Sequence, residues 1–352
     1  MRARWTASPA GSFLAASALL MACTAAPTAP GLPTPSPVAS PSPTESAVPS
    51  PAVGTPTPSA ITGQIVLTVN ESIVVIDLAT GTAQTLGGGA FPAWSPDGTR
   101  IAFSRAGATD LELWVMDADG TGQQKIGIGF GPRWSPDGSR IAFNGDPIDL
   151  GSLWVVNADG TGAARLSPTG GRSPSWSPDG ARLAFERAKP GSGGARPELA
   201  IIGVDGSDPH GLADAVDPDW SPDGRWIAAS AWSEPALLLI DPDSGASSTP
   251  VRLPGGGNVP AWSPDGSRIA FVSGGDLYVA TLGGGWERIT TGLPVFPRPP
   301  AWSPDGTWLA FTVSAGEPPV MDIFVVGSEG QGPGRLTTSG GASDPDWRPA
   351  LP

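Results

Sequence analysis

The chain has 352 residues, 39% of them hydrophobic, with Gly 49 and Pro 42, a formal net charge of −13, one cysteine and one histidine. That length suits one large all-β domain or roughly two or three smaller ones. Such acidity argues against nucleic acid and anionic lipid surfaces as partners, a single cysteine excludes an intrachain disulfide, and a single histidine excludes a histidine-built metal centre.

Taken in chain order, residues 1–22 read as a lipoprotein signal peptide, because Arg2 and Arg4 precede an apolar run from Phe13 to Ala22 that is too short to span a bilayer. Leu20-Met21-Ala22-Cys23 resembles the bacterial lipobox, which implies lipid on Cys23. An ordinary signal peptide cut near Ala22, leaving a free thiol, is the alternative. Residues 23–63 are expected to form a disordered Pro/Ser/Thr-rich tether, since they lack the apolar content to offset the entropy of ordering. At ~3.1 Å per residue the tether reaches up to ~100 Å. The chain is therefore expected to be exported and lipid-anchored at the cell envelope, on the extracytoplasmic side.

Residues 64–352 are organised by one repeat. Trp-Ser-Pro-Asp-Gly recurs at Trp94, Trp134, Trp176, Trp220, Trp262 and Trp302, spaced by 40, 42, 44, 42 and 40 residues, and a degenerate copy at Trp347 follows after 45. Each period parses into four short strands. In the first, strand A is Pro92-Ala93-Trp94, strand B Arg100–Ser104, strand C Leu113–Met116, and strand D lies near Lys125–Gly127. Between A and B, Pro96 presets the φ of a type I turn, Ser95 and Asp97 can bond nearby amides, and Gly98 takes the left-handed conformation that a Cβ penalises. Four-stranded units at this period are β-propeller blades. The flanks fix the number: Ile65–Val69, Ile73–Leu78 and Ala83–Leu86 supply B, C and D without an A, and Asp346-Trp347-Arg348 supplies an A without a B. Pairing the C-terminal strand with the N-terminal blade closes a seven-bladed, all-β propeller and leaves no long sheet edge open.

The motif P-x-W-S-P-D-G-x-x-I-A-F, spread over residues 64–348, resembles the TolB-type, WD-like propeller repeat. The resemblance implies the propeller fold, on which unrelated activities are built. In place of the α/β domain that precedes the propeller in TolB this chain has the tether, and seven blades are read where TolB has six.

Catalytic chemistry finds little support. Gly-x-Ser-x-Gly is absent, so a nucleophile-elbow hydrolase is not expected. His210, in Asp208-Pro209-His210-Gly211, reads as a surface-loop residue. Asp97, Asp137, Asp179, Asp223, Asp265 and Asp305 stand at the same place in six blades, whereas a site has one location, so they read as turn stabilisers. Asp117/Asp119 and Asp241/Asp243 read as plain turns, with weak calcium binding the alternative. Trp94, Trp134, Trp176, Trp220, Trp262, Trp302 and Trp347 are expected between adjacent sheets. Trp226, Trp232, Trp286 and Trp308 fall outside the repeat's register and are candidates for something specific to this chain.

Propellers usually bind where the D–A and B–C loops surround the channel. The residues before each tryptophan vary there: Phe91, Arg133, Arg172, Asp217, Asp219, Asn258, Arg298, Asp344 and Asp346. The longest B–C connection, Glu186–Pro197, is glycine-rich and carries Arg187, Lys189 and Arg196. Such loops on a rigid scaffold are where function concentrates. The sequence therefore reads as a non-catalytic, monomeric propeller lipoprotein, held at the membrane by lipid on Cys23. It is expected to bind an unknown protein or peptide of the cell envelope through the channel-mouth face, with no cofactor, metal or nucleic acid. A carbohydrate- or small-ligand-binding receptor using the off-register aromatics is the second reading, and an enzyme using channel carboxylates the third.

Overall fold

A computed structural model of the chain describes residues 61–145, 151–167, 170–193, 196–252, 258–316 and 319–350. The expected signal peptide, Cys23 and the tether up to residue 60 lie outside the described residues. The described residues form seven four-stranded antiparallel sheets and no helix.

Blade 2 shows how sequence becomes sheet. Its strands are Ala90–Trp94 (A), Arg100–Ala106 (B), Leu111–Asp117 (C) and Gln124–Ile128 (D), hydrogen-bonded in chain order. Strand B carries the unbroken apolar run Ile101-Ala102-Phe103, all at 0% exposure. A continuous run marks a strand covered on both faces, and here a neighbouring blade lies on each. On one side, Ile101 and Phe103 pack with Val66, Ile73 and Val75 of blade 1. On the other, Ala102 packs with Ile141, Phe143 and Val156 of blade 3. The core is thus a set of apolar layers between adjacent blades.

The A–B turn is a closed hydrogen-bonded unit. Gly98 N–H donates to Ser95 O at 2.8 Å with φ of 64° at Gly98, Ser95 Oγ donates to Asp97 Oδ1 at 2.6 Å, and Arg100 N–H donates to Ser95 Oγ at 2.9 Å. The Ser and Asp contacts repeat at Ser135, Ser177, Ser221, Ser263 and Ser303. These bonds hold Asp97, Asp137, Asp179 and Asp265 below the ordinary carboxylate range, with Asp137 and Asp265 at about 2.

The A strands of blades 3 to 7 are Phe130–Trp134, Arg172–Trp176, Ala215–Trp220, Asn258–Trp262 and Ala301–Trp302. Each A strand touches the A strand of the next blade, so together they surround the central axis. Blade 1 is composite, with spatial order Ala342–Trp347, Gln64–Val69, Ser72–Asp77 and Thr82–Gly88. Ile65 faces Trp347 and Val69 faces Ala342, and Arg348 N–H donates to Gln64 O at 2.8 Å. The last strand thereby gives the first blade its inner edge.

In the stretch Glu186–Pro197, Glu186–Ala188 and Pro197 belong to the paired strands Arg182–Ala188 and Pro197–Gly203, and residues 189–196 connect them. Two of its basic residues are engaged at the rim: Arg187 Nε meets the buried Glu198 at 2.8 Å, and Lys189 pairs with Asp214.

Candidate functional site at the channel mouth

Three positions on each inner strand set the channel wall. The outermost concern is the repeated tryptophan, which is between 4% and 9% exposed in every blade. In five blades its indole Nε1–H donates to the preceding blade, to the backbone carbonyls of Ala93, Arg133, Asp219, Ala261 and Ala301. Its ring is covered by an arginine of the preceding blade: Arg100 over Trp134 at 4.8 Å, Arg140 over Trp176 at 5.5 Å, Arg182 over Trp220 at 5.1 Å, Arg268 over Trp302 at 5.0 Å and Arg348 over Trp94 at 5.0 Å. Four of these arginines stand six residues after their own blade's tryptophan. Trp226 and Trp308 occupy that same position in blades 5 and 7, and they pack in the clusters of Trp262 and Trp347. They are therefore in register after all, a tryptophan replacing the stacked arginine, and belong to the girdle between blades.

Three residues before the tryptophan the chain turns left-handed. Phe91, Gly131, Ser173, Asp217, Val259 and Asp344 all have φ between 50° and 65°. Each precedes a proline, which disfavours the right-handed helical region, and each marks a bulge that breaks the register of strands A and B. A β-branched residue is strained there, and Val259 accepts that strain. The bulged N–H points to the preceding blade: Phe91 donates to Thr68 Oγ1 at 3.2 Å, Gly131 to Ser104 Oγ at 3.2 Å, Asp217 to Glu186 Oε1 at 2.8 Å and Val259 to Ser230 Oγ at 3.1 Å. In blade 7 the equivalent residue is Pro299, which has no N–H, and the residue matching those acceptors is the apolar Val272. Where there is no donor the chain supplies no acceptor.

The residue just before the tryptophan is the third position. Here Arg133 contributes to the electrostatics of both Asp219 and Asp346. Asp219 Oδ2 accepts Trp262 N–H at 2.7 Å, and Asp346 Oδ2 accepts Trp94 N–H at 2.8 Å. Burial pushes both carboxyls up to about 6, against the pull of those amides and of Arg133.

At the mouth Arg298 pairs with Asp344, and its guanidinium lies over Phe91 at 5.6 Å and Phe296 at 5.8 Å. Phe91 and Phe130 meet at 6.3 Å between ring centres, giving blades 7, 2 and 3 a partly exposed aromatic wall. Among the described residues Asp217 meets no arginine; it lies against Glu186, and Ser230 Oγ donates to its Oδ2 at 3.3 Å. Burial first, and the Glu186 charge second, push Asp217 up to about 7. Arg172 and Asn258 are exposed at the starts of their strands. The candidate residues thus separate into an aromatic and arginine wall, the half-buried Asp219 and Asp346 with the exposed Arg133 acting on both through its charge, and a carboxyl pair. Phe130 and Phe296 escape sequence reading, because neither has a repeated neighbour that marks it.

The exposed aromatics do not form one platform. Trp232, 43% exposed, sits in the B–C connection of blade 5, with its N–H on Asp214 O at 3.0 Å. Trp286, 45% exposed, opens strand D of blade 6 after a C–D turn, at the other end of the sheets, edge-on to Tyr278 at 5.6 Å. Asp119 and Asp241 spend their carboxylates on turn amides, and Asp243 meets Arg182 at 2.7 Å. His210 Nδ1 lies 2.9 Å from Asp208 O in an open groove with Arg140, Arg182 and Ser207.

Fold and site together define a closed seven-bladed β-propeller whose blades are matched in their turns and girdle and differ at one mouth. The chain belongs to the TolB beta propeller domain family, which it matches over residues 49–193 and 187–350. Among curated protein sequences none matches it. Of solved structures, TolB from Acinetobacter baumannii is 18% identical, with 79% of each chain covered and a TM-score of 0.56. Oligogalacturonate lyase from Vibrio parahaemolyticus is 14% identical over 79% of this chain and 85% of that one, with a TM-score of 0.59. The β-propeller domain of the Trilobed protease from Pyrococcus furiosus is 15% identical over 79% and 96%, with a TM-score of 0.58. That domain is described as having an open velcro topology, whereas here Ala342–Trp347 is paired with Gln64–Val69. At these identities the likeness is one of fold, and it is shared with a lyase and a protease as well as with TolB.

Proposed function

We propose that this chain is a binding propeller, without catalysis of its own, that holds a protein or peptide partner of the cell envelope at the channel mouth. Under the same reading it is exported and held at the membrane by lipid on Cys23, as the sequence Leu20-Met21-Ala22-Cys23 suggests. The observation that carries the proposal is the contrast between the two ends of the sheets. At the turn end six blades repeat the same Ser–Asp unit, while at the mouth the side chains are Phe, Asp, Arg, Asn and Ser, partly exposed and unlike from blade to blade. A rigid scaffold presenting dissimilar side chains at one face is suited to recognising one partner.

Site-specific photo-crosslinking of the full chain in its native envelope tests this. A photoreactive residue at Arg172 or Asn258 is expected to give a discrete adduct, and the same group at Thr99 or Thr161, exposed at the turn end, none. Adducts from the turn positions alone, or equally from both ends, overturn the proposal.

A further inference from the structure

The groups that receive the bulge N–H are not alike. Thr68, Ser104 and Ser230 offer uncharged hydroxyls, whereas Glu186 offers a carboxyl and faces a second carboxyl, Asp217, on the next blade. The other acid at a bulge, Asp344, carries Arg298, and the residue at the acceptor's place before it is Thr312. Among the described bulges, only the one between blades 4 and 5 sets carboxyl against carboxyl. Both are half-buried, the two groups lie within hydrogen-bonding reach of each other, and the Asp217 N–H is on Glu186 Oε1 at 2.8 Å. Two anions so placed repel. One proton turns the repulsion into a bridge, the Asp217 O–H donating to the Glu186 carboxylate. Burial and the Glu186 charge keep that proton bound up to about 7.

The charged groups packed around the pair leave Glu186 one alternative. On its own strand Arg182 meets Asp243, and Arg187 meets Glu198 of strand Pro197–Gly203. Lys189 pairs with Asp214, while Asp219 accepts Trp262 N–H under the charge of Arg133. Strands Ile227–Ala231 and Asn258–Trp262 carry no ionisable side chain. Arg172 is exposed and stands directly opposite Glu186 in the pairing of strands A and B, yet its side chain lies beside Gly151 of blade 3, where a Cβ would come 3.6 Å from its Cγ and Nε. Directly opposite residues have Cβ atoms about 5 Å apart, so a change of rotamer brings the guanidinium to Glu186. We infer that Glu186 and Asp217 form a proton-operated latch between blades 4 and 5. Closed, the pair shares one proton and Glu186 holds the Asp217 N–H. Open, the proton has passed to water, the carboxylates part, and Glu186 turns to Arg172 while Asp217 keeps Ser230. The bulge at Asp217, with φ of 53°, then loses the acceptor that holds its left-handed turn. The latch belongs to the fold and works whether or not a partner occupies the mouth.

Amide hydrogen exchange of the full chain, read by mass spectrometry from about pH 6 to about pH 8 and corrected for the intrinsic pH dependence of exchange, tests the latch. Protection of strand Ala215–Trp220 is expected to fall at least about tenfold across that range, and that of Asn258–Trp262, the same strand of blade 6, by less than about twofold. Glu186→Gln keeps an acceptor for the Asp217 N–H, and Asp217→Asn keeps the donor. Each removes the repulsion and is expected to remove the fall. Arg172→Ala takes away the cation that favours the open state, so the midpoint is expected to rise by at least about half a pH unit. Unchanged protection, an equal fall in both strands, a fall that survives either amide variant, or a midpoint that does not rise in Arg172→Ala overturns the inference.

Discussion

Trp347→Ala is expected to lower the melting temperature by about 10 °C, and deletion of residues 342–352 to abolish cooperative unfolding altogether. Trp347 is 4% exposed and packs with Leu67, Ile76, Ala310 and Val325, so its loss opens a cavity between blades 7 and 1. Its Nε1–H donates to Ala301 O at 3.0 Å, so the substitution also leaves a half-buried carbonyl short of its donor. Truncation of large buried aromatics costs about 3–5 kcal/mol. Deleting the whole strand is worse in kind, because Gln64–Val69 then becomes an unpaired inner edge and Ile65 and Leu67, both at 0% exposure, meet solvent. Circular dichroism melts and gel filtration read both outcomes. A Trp347→Ala melt within about 2 °C of the parent chain would show that the composite blade is not what closes the ring.

Stability is expected to pass through a maximum near pH 4–5 and to fall towards neutrality, against the common preference for pH 5 to 8. Two sets of aspartates act with opposite sign. Asp137 and Asp265, held at about 2 by serine hydroxyls and backbone amides, contribute stability above the unfolded value of about 3.9, and lose it as the pH falls towards 2. Asp219 and Asp346, pushed up to about 6, and Asp217, pushed up to about 7, bind protons more strongly folded than unfolded. Their contribution is fully present below about 3.9 and is lost as the pH rises through 6 and 7. The melting temperature is therefore expected to be about 5 °C higher at pH 5 than at pH 8. Asp217→Asn, Asp219→Asn and Asp346→Asn combined should flatten that difference, because the amides keep the shape without the charge. An undiminished slope in the triple variant would assign it to the general acidity of the chain and count against the channel carboxyls.

Much of the architecture is legible in the residues because each blade states it again. Pro96, Asp97 and Gly98 spell one turn, Ile101-Ala102-Phe103 one doubly covered strand, and the missing A and B strands at the two ends specify their own pairing. The left-handed bulge is hidden because Phe91, Ser173, Asp217 and Val259 share no side-chain chemistry; only the following proline is common, and Gly131 alone announces the conformation. Trp226 and Trp308 mislead for a related reason. They look like extra aromatics until the stacked arginines at the same position show that a flat side chain is what the slot requires. The carboxyl pair is harder still, since Glu186 and Asp217 are 31 residues apart on different blades and meet only through the closed ring. Repetition therefore exposes the scaffold and conceals the mouth, where each residue occurs once.

The central claim is that the repeated residues are architecture and the unrepeated mouth is the site. The most direct measurement is adduct yield from a photoreactive residue at Asn258, in the parent chain and in one carrying Arg172→Glu, Asp217→Asn and Trp232→Ala, with folding checked by its melting curve. The account predicts that the triple variant melts within about 3 °C of the parent and gives no adduct. A folded variant that still captures the same partner in the same yield would contradict it.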